Sequence, residues 1–129
     1  MIRMQKVLLY ASAAATAIPG IIHLDLANQV ITHVANFGIF FLVAGILQLF
    51  WVLPVIRQWH MGWYCVGIGG TIALIAIWSI TRMPNTISGR ALSVNELGII
   101  EETLQIIFIG LSILVLGHMK STQQSQIQK

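Results

Sequence analysis

The sequence predicts an all-α membrane protein, a four-transmembrane-helix antiparallel bundle, and three observations predict it. Of its 129 residues 57% are hydrophobic and 9% charged, with a mean hydropathy of +0.83, whereas soluble domains carry about 25% charged residues. Four runs approach or exceed the ~20 apolar residues that a helix needs to cross a hydrocarbon core. The gaps between these runs are short, so no soluble domain or linker fits among them. A chain of this length folded in water would keep much of its surface exposed, and a bilayer is a better solvent for so apolar a surface.

The first run covers residues 7–24. Its start, "MIRMQKVLLYASAAATA", has the basic head, apolar middle and small residues of a secretory signal. The apolar stretch nevertheless continues through "IPGII" to Leu24, so the segment reads as a retained span, which N-terminal sequencing would check. Pro19 removes a backbone donor and should kink it. The second run covers 34–56 and the third 62–81, and the fourth covers 97–118. The tail, 119–129, is polar and expected to fray. The whole chain, 1–129, reads as a single transmembrane domain. Gly38 and Gly45 are a heptad apart, as are Gly110 and Gly117, and Gly62, Gly67, Gly69 and Gly70 stud the third run. Small residues of this kind let helices approach closely in lipid.

Charge placement predicts the orientation. Arg3, Lys6, Arg57, Lys120 and Lys129 fall on one side of a four-span chain, and Arg82, Arg90, Asp25 and Glu96 fall on the other. Basic flanks face the cytoplasm, so the expectation is a multi-pass protein of the cell membrane with both termini cytoplasmic. Tyr10, Trp51, Trp59, Trp63 and Tyr64 fall near the inner interface and Trp78 near the outer one, as amphipathic rings prefer. The net charge of +3 is scattered through ends and loops, which argues against a nucleic-acid partner, because that requires a basic face. The one cysteine, Cys65, excludes an internal disulfide and a CxxC metal site. It reads as a small hydrophobe.

The chemistry-bearing residues gather toward the outer side. "GIIHLDLANQVITH" carries His23, Asp25 and His33, and "NELGIIEETLQ" carries Glu101, Glu102 and Gln105. At 1.5 Å per residue, His23 lies about 24 Å beyond Val7, and the two glutamates lie roughly 6–8 Å past Leu97. His23, Asp25, His33, Glu101 and Glu102 therefore fall in one layer drawn from three helices, with Asn36 near them and Gln105 on the face of Glu101. Carboxylates in lipid are costly and turn toward partners inside a bundle. One reading is structural. Asn95 or Glu96 caps the fourth helix, the glutamates serve its free amides or pair with Arg82 or Arg90, and the histidines bond loop backbone. Another is a metal site on His23, His33, Asp25, Glu101 and Glu102, suited to zinc, copper or iron. A proton or cation path is weaker. The inner half offers mainly Ser12, Thr16, Gln48 and Thr71, none of them ionisable. His60 and His118 are not expected to be ligands. No GxSxG, P-loop or GxGxxG pattern is present.

"GIIHLDLANQVITHVANFGIFFLVAGILQ", with "IWSITRMPN" and "NELGIIEETLQ", resembles a group of small four-span membrane proteins of archaea and bacteria. The resemblance implies a histidine ending the first helix, a second opening the next, a Phe/Gly-rich second helix with a glutamine, and carboxylates opening the fourth. Relatives often place Pro-Glu before the second histidine, where this chain has Ile31 and Thr32. The resemblance supports the polar layer as a unit and names no activity.

These observations favour a non-catalytic accessory subunit, partnered by the lipid bilayer and by a larger membrane complex or a further copy of itself. A metal- or small-ligand-binding membrane protein is the alternative, and a small transporter a weaker one.

Overall fold

The computed structural model describes residues 2–33, 35–81 and 96–128. Its elements are α1 (Ile2–Val30), α2 (Ala35–Phe50), α3 (Val52–Arg57), α4 (Met61–Thr81) and α5 (Glu96–Ile127), with no strand among the described residues. Trp51 alone separates α2 from α3, and the two form one apolar segment, Ala35–Arg57. This segment, Arg3–Val30, Met61–Thr81 and Glu96–Ile127 are each long and apolar enough to cross a membrane.

α1 runs past Leu24 because "DLANQV" holds helix. Gln29 Nε2 donates to Asp25 Oδ2 across one turn at 2.7 Å, a pairing that suits i, i+4 positions. The turn at Ile31–His33 then ends it. Pro19 sits fully buried inside α1, which continues through it; its missing donor costs one bond that a buried helix can absorb from its neighbours. At the far end of the chain, α5 does not stop at residue 118. Polar residues from Lys120 onward stay helical to Ile127, and Thr122 Oγ1 donates to His118 O at 3.0 Å. That stretch lacks Gly and Pro, and Lys and Gln are good helix formers, which outweighs the fraying expected of a polar tail.

α1 is the hub. It packs against α2, α3 and α5, while α4 packs against α5 and α3. Two glycines set the α1–α2 crossing. A Cβ on Gly45 would lie 2.8 Å from Gly20 O, and one on Gly20 would lie 3.2 Å from Gly45 O. The backbones therefore touch directly, the arrangement small residues permit in lipid. Gly38 likewise admits the turn, since its Cβ would meet Ile31 Cα at 2.5 Å. Gly67 admits the Trp51 indole, whose Nε1 would lie 2.5 Å from a Cβ there. Gly69, Gly70, Gly110 and Gly117 behave differently: beyond the adjoining backbone of its own helix, no atom of the described residues comes within 4 Å of a Cβ at any of them. The sequence spacing that marks Gly110 and Gly117 as contact residues thus corresponds to no contact among the described residues.

The apolar core joins Ala13 and Ala15 of α1, Val55 of α3, Tyr64 of α4, and Phe108 and Val115 of α5, with Leu8, Leu9, Leu116 and Met119 packed around it. Tyr64 is anchored through its hydroxyl, which donates to Val55 O at 2.6 Å. His60 acts as an N-cap for α4, its Nδ1 accepting from Gly62 N–H at 3.0 Å, a role more often filled by Ser, Thr, Asp or Asn.

Candidate functional site

One imidazole joins three helices. His23 of α1 is 5% exposed and Glu101 of α5 is 4% exposed. His23 Nδ1 lies 2.7 Å from Gln48 Oε1 of α2, and His23 Nε2 lies 2.7 Å from Glu101 Oε1. The Phe41 ring covers the imidazole at a centroid distance of 5.6 Å and a tilt of 32°. The Glu101 contact has ion-pair distance but not the angle of an aligned hydrogen bond, so its worth is mainly electrostatic. Several proton arrangements satisfy this geometry, and two of them keep Glu101 ionised. With Gln48 Oε1 facing Nδ1, both ring nitrogens donate. With the amide turned, Nε2 alone carries the proton and Nδ1 accepts from the amide nitrogen.

The centre continues as a seam. Ser12, Thr16 and His23 on α1 and Glu101, Gln105 and Ser112 on α5 are all buried. Thr16 Oγ1 donates to Gln48 O at 3.1 Å, a second tie between α1 and α2. Ser12 Oγ turns back to Leu8 O at 2.8 Å. Gln105 Oε1 and Ser112 Oγ have no hydrogen-bond partner among the described residues. Each such buried orphan costs about 1–3 kcal/mol, so the seam is not a fully satisfied network.

Of the expected five-residue layer, His23 and Glu101 meet, and Glu102 is buried beside Glu101. His33, Asn36 and Asp25 are exposed, and Asp25 bonds Gln29. His23 lies seven residues before the end of α1, about 10 Å by helical rise, while His33 follows that end in the turn. That longer α1 is why the two histidines do not share a level. No group of three or more His, Cys, Asp or Glu side chains among the described residues is arranged to hold a metal ion. The roles expected of Arg82, Arg90 and Asn95 fall outside the described residues. The sequence places Gln105 in the layer and gives no reason to add Gln48 to it. A signal exists for the faces that α1 and α5 bring to the seam, though not for Gln48: Ser12, Thr16, Pro19 and His23, and Glu101, Gln105, Phe108 and Ser112, share the 4-3-4 spacing of one helix face.

Beside the seam lies a cavity of about 230 Å³ between α2 and α4, which do not pack directly on one another. Thr16, Gln48, Thr71 and Phe108 line it together with Trp51, Gly67 and Gly70. Trp51 stands at one end, its Nε1 donating to Trp63 O at 3.0 Å. No protein-family model, curated protein or solved structure matches the chain.

Proposed function

We propose that the chain is a multi-pass integral membrane protein that serves as a non-catalytic accessory subunit, docking its spans against a larger membrane complex or a further copy of itself. Four spans in antiparallel order, with both termini cytoplasmic, are the arrangement in which it would do so. Two pairs of contacts support that order for α1 and α5. His23, late in α1, meets Glu101, early in α5, while Leu8 and Leu9 join the same core cluster as Leu116 and Met119. The crossing of Gly20 with Gly45 and of Thr16 with Gln48 supports it for α1 and α2. The excess of Arg and Lys at both ends and in the 57–60 gap supports the cytoplasmic side. The resemblance to small four-span proteins of archaea and bacteria agrees with this frame.

The carrying observation is the side of α4 that no described residue covers. Of its apolar window 17% is buried, against 39% for α1, and Gly69 stands open on it. A bilayer gives two apolar faces no hydrophobic reason to join, so a helix-helix contact there depends on close backbone approach at small residues. Gly69 on α4 and Gly110 on α5 both leave room for such an approach. The buried His23 fits a structural role in this reading, because both of its ring nitrogens already have partners within the chain.

Cross-linking in intact native membranes, followed by extraction in mild detergent, tests the reading. The wild-type chain should be recovered in a species well above its own 14.2 kDa, and Gly69→Leu with Gly110→Leu should release it while its helicity stays unchanged. A strictly solitary chain in native membranes removes the proposal.

A further inference from the structure

We infer that the slot between α2 and α4 binds a single-ring amphiphile bearing a hydroxyl group, a phenol by chemical class, taken up sideways from the lipid phase. The inference rests on the membrane reading above and is independent of the accessory role.

The slot is formed by the fold rather than by a loop. α2 and α4 are held apart, with Trp51 wedged against Gly67 and tied to Trp63 O. Gly67 and Gly70 thin the α4 wall. Leu47 and Val66, which line the mouth, are also exposed on the outer surface, so the slot opens toward the bilayer. Its volume is about 230 Å³. An apolar cavity of ~150 Å³ accepts benzene, so this one has room for a substituted ring. Trp51 and Phe108 supply flat surfaces, which favour an aromatic ring by offset or edge contact.

Its polar groups select the head. The Thr16 hydroxyl donates to Gln48 O, and the Thr71 hydroxyl donates to Gly67 O at 2.7 Å. Both donors are spent, and both oxygens keep lone pairs. Gln48 Oε1 is engaged by His23 Nδ1, which leaves Gln48 Nε2 as the donor that this lining residue brings to the slot. The slot therefore presents acceptors and one amide donor. A hydroxyl serves both, because it donates and accepts. A hydrocarbon would leave the Gln48 amide dry, at a cost of about 1–3 kcal/mol. A carbonyl would face the threonine oxygens with lone pairs of its own. Turning the Gln48 amide strengthens the choice, since the slot then offers acceptors alone and still takes the hydroxyl proton.

The test uses the full chain in phospholipid nanodiscs, prepared from carbonate-washed membranes, and tritiated 4-propylphenol as probe. The chain should stay in the membrane pellet; release into the carbonate supernatant removes the membrane reading and this one with it. Wild type should bind the phenol saturably, about one per chain. Propylbenzene, which lacks only the hydroxyl, should compete about tenfold or more weaker, and Gln48→Leu should weaken phenol binding by a similar factor. Gly70→Leu fills the slot at a position with no neighbour within 4 Å and should abolish binding, as should Leu47→Trp from the opposite wall. Gly69→Leu, one residue away but outside the lining, should bind as wild type. Non-saturable uptake equal to that of empty nanodiscs overturns the slot as a site and leaves the membrane reading intact. Equal competition by propylbenzene overturns the hydroxyl assignment without reference to any variant. Full binding by both Gly70→Leu and Leu47→Trp overturns the location.

Discussion

The seam that α1 makes with α2 and α5 and the side of the protein carried by α4 are built on opposite principles. Along the seam, glycines bring α1 and α2 backbones into contact and a single imidazole ties three helices together. Around α4, Gly69 and Gly70 face open space, and α4 stands clear of α2. The same residue type thus does two jobs, and burial of its surroundings decides which. In a bilayer, where apolar burial gains little between helices, polar contacts and close packing carry association. The chain thus concentrates those terms in one half, and the described residues leave the other half available.

The largest expected effect breaks the tight side. Glu101→Leu leaves His23 Nε2 buried with no partner from α5. With both ring nitrogens protonated the contact is a buried ion pair, and removing one member of such a pair typically costs about 3–5 kcal/mol; in a membrane the lower end applies because the unfolded reference also finds partners. Reversible unfolding in mixed micelles should register this loss. The double variant His23→Leu with Glu101→Leu should regain most of it, since an apolar pair of similar size removes both desolvation penalties. A neutral Glu101→Leu would mean that the pair holds nothing together.

The contrast also explains what the sequence could and could not disclose. Four spans were legible, because hydropathy sums over about 20 residues and needs no knowledge of neighbours. Glu101 with Gln105 was legible for the same kind of reason: positions four apart share a face whatever packs on it. Distance between helices was not legible. Nothing local separates His23, which is buried, from His33, which is exposed; the outcome turns on how far α1 continues and where it crosses α2. Gly45 and Gly110 look alike in sequence, each a heptad from another glycine, yet one touches backbone and the other touches nothing described. Gln48 is silent in the sequence, because an isolated amide in an apolar run has no meaning until Thr16 and His23 are known to reach it.

A smaller effect is expected at the helix crossing. Gly45→Ala places a methyl 2.8 Å from Gly20 O and 2.9 Å from Leu24 Cδ2. Leu24 can rotate, but the backbone oxygen cannot, so α1 and α2 must separate. Overpacking of this kind costs about 1–3 kcal/mol, and separation also stretches the Thr16 bond to Gln48 O. The same unfolding measurement should show a loss below that of Glu101→Leu. Unchanged stability would show that the crossing is loose and that the two sides of the molecule are not packed differently.

The smallest effect carries the opposite sign and completes the comparison. Gly69→Ala adds a methyl where nothing described beyond the helix's own adjoining backbone lies within 4 Å, in the interior of α4. Nothing has to move, and alanine loses less conformational freedom than glycine on becoming helical, a gain of about 0.4–1 kcal/mol. The isolated chain should therefore be slightly more stable with Gly69→Ala while Gly45→Ala is less stable, although the two substitutions are chemically identical. If Gly69→Ala instead lowers stability in micelles, α4 is covered by another part of this chain and is not free to take a partner. If it raises stability in micelles and lowers the yield of the cross-linked species in native membranes, the open face is kept open at a small cost to the chain's own stability, because a neighbouring helix requires the space.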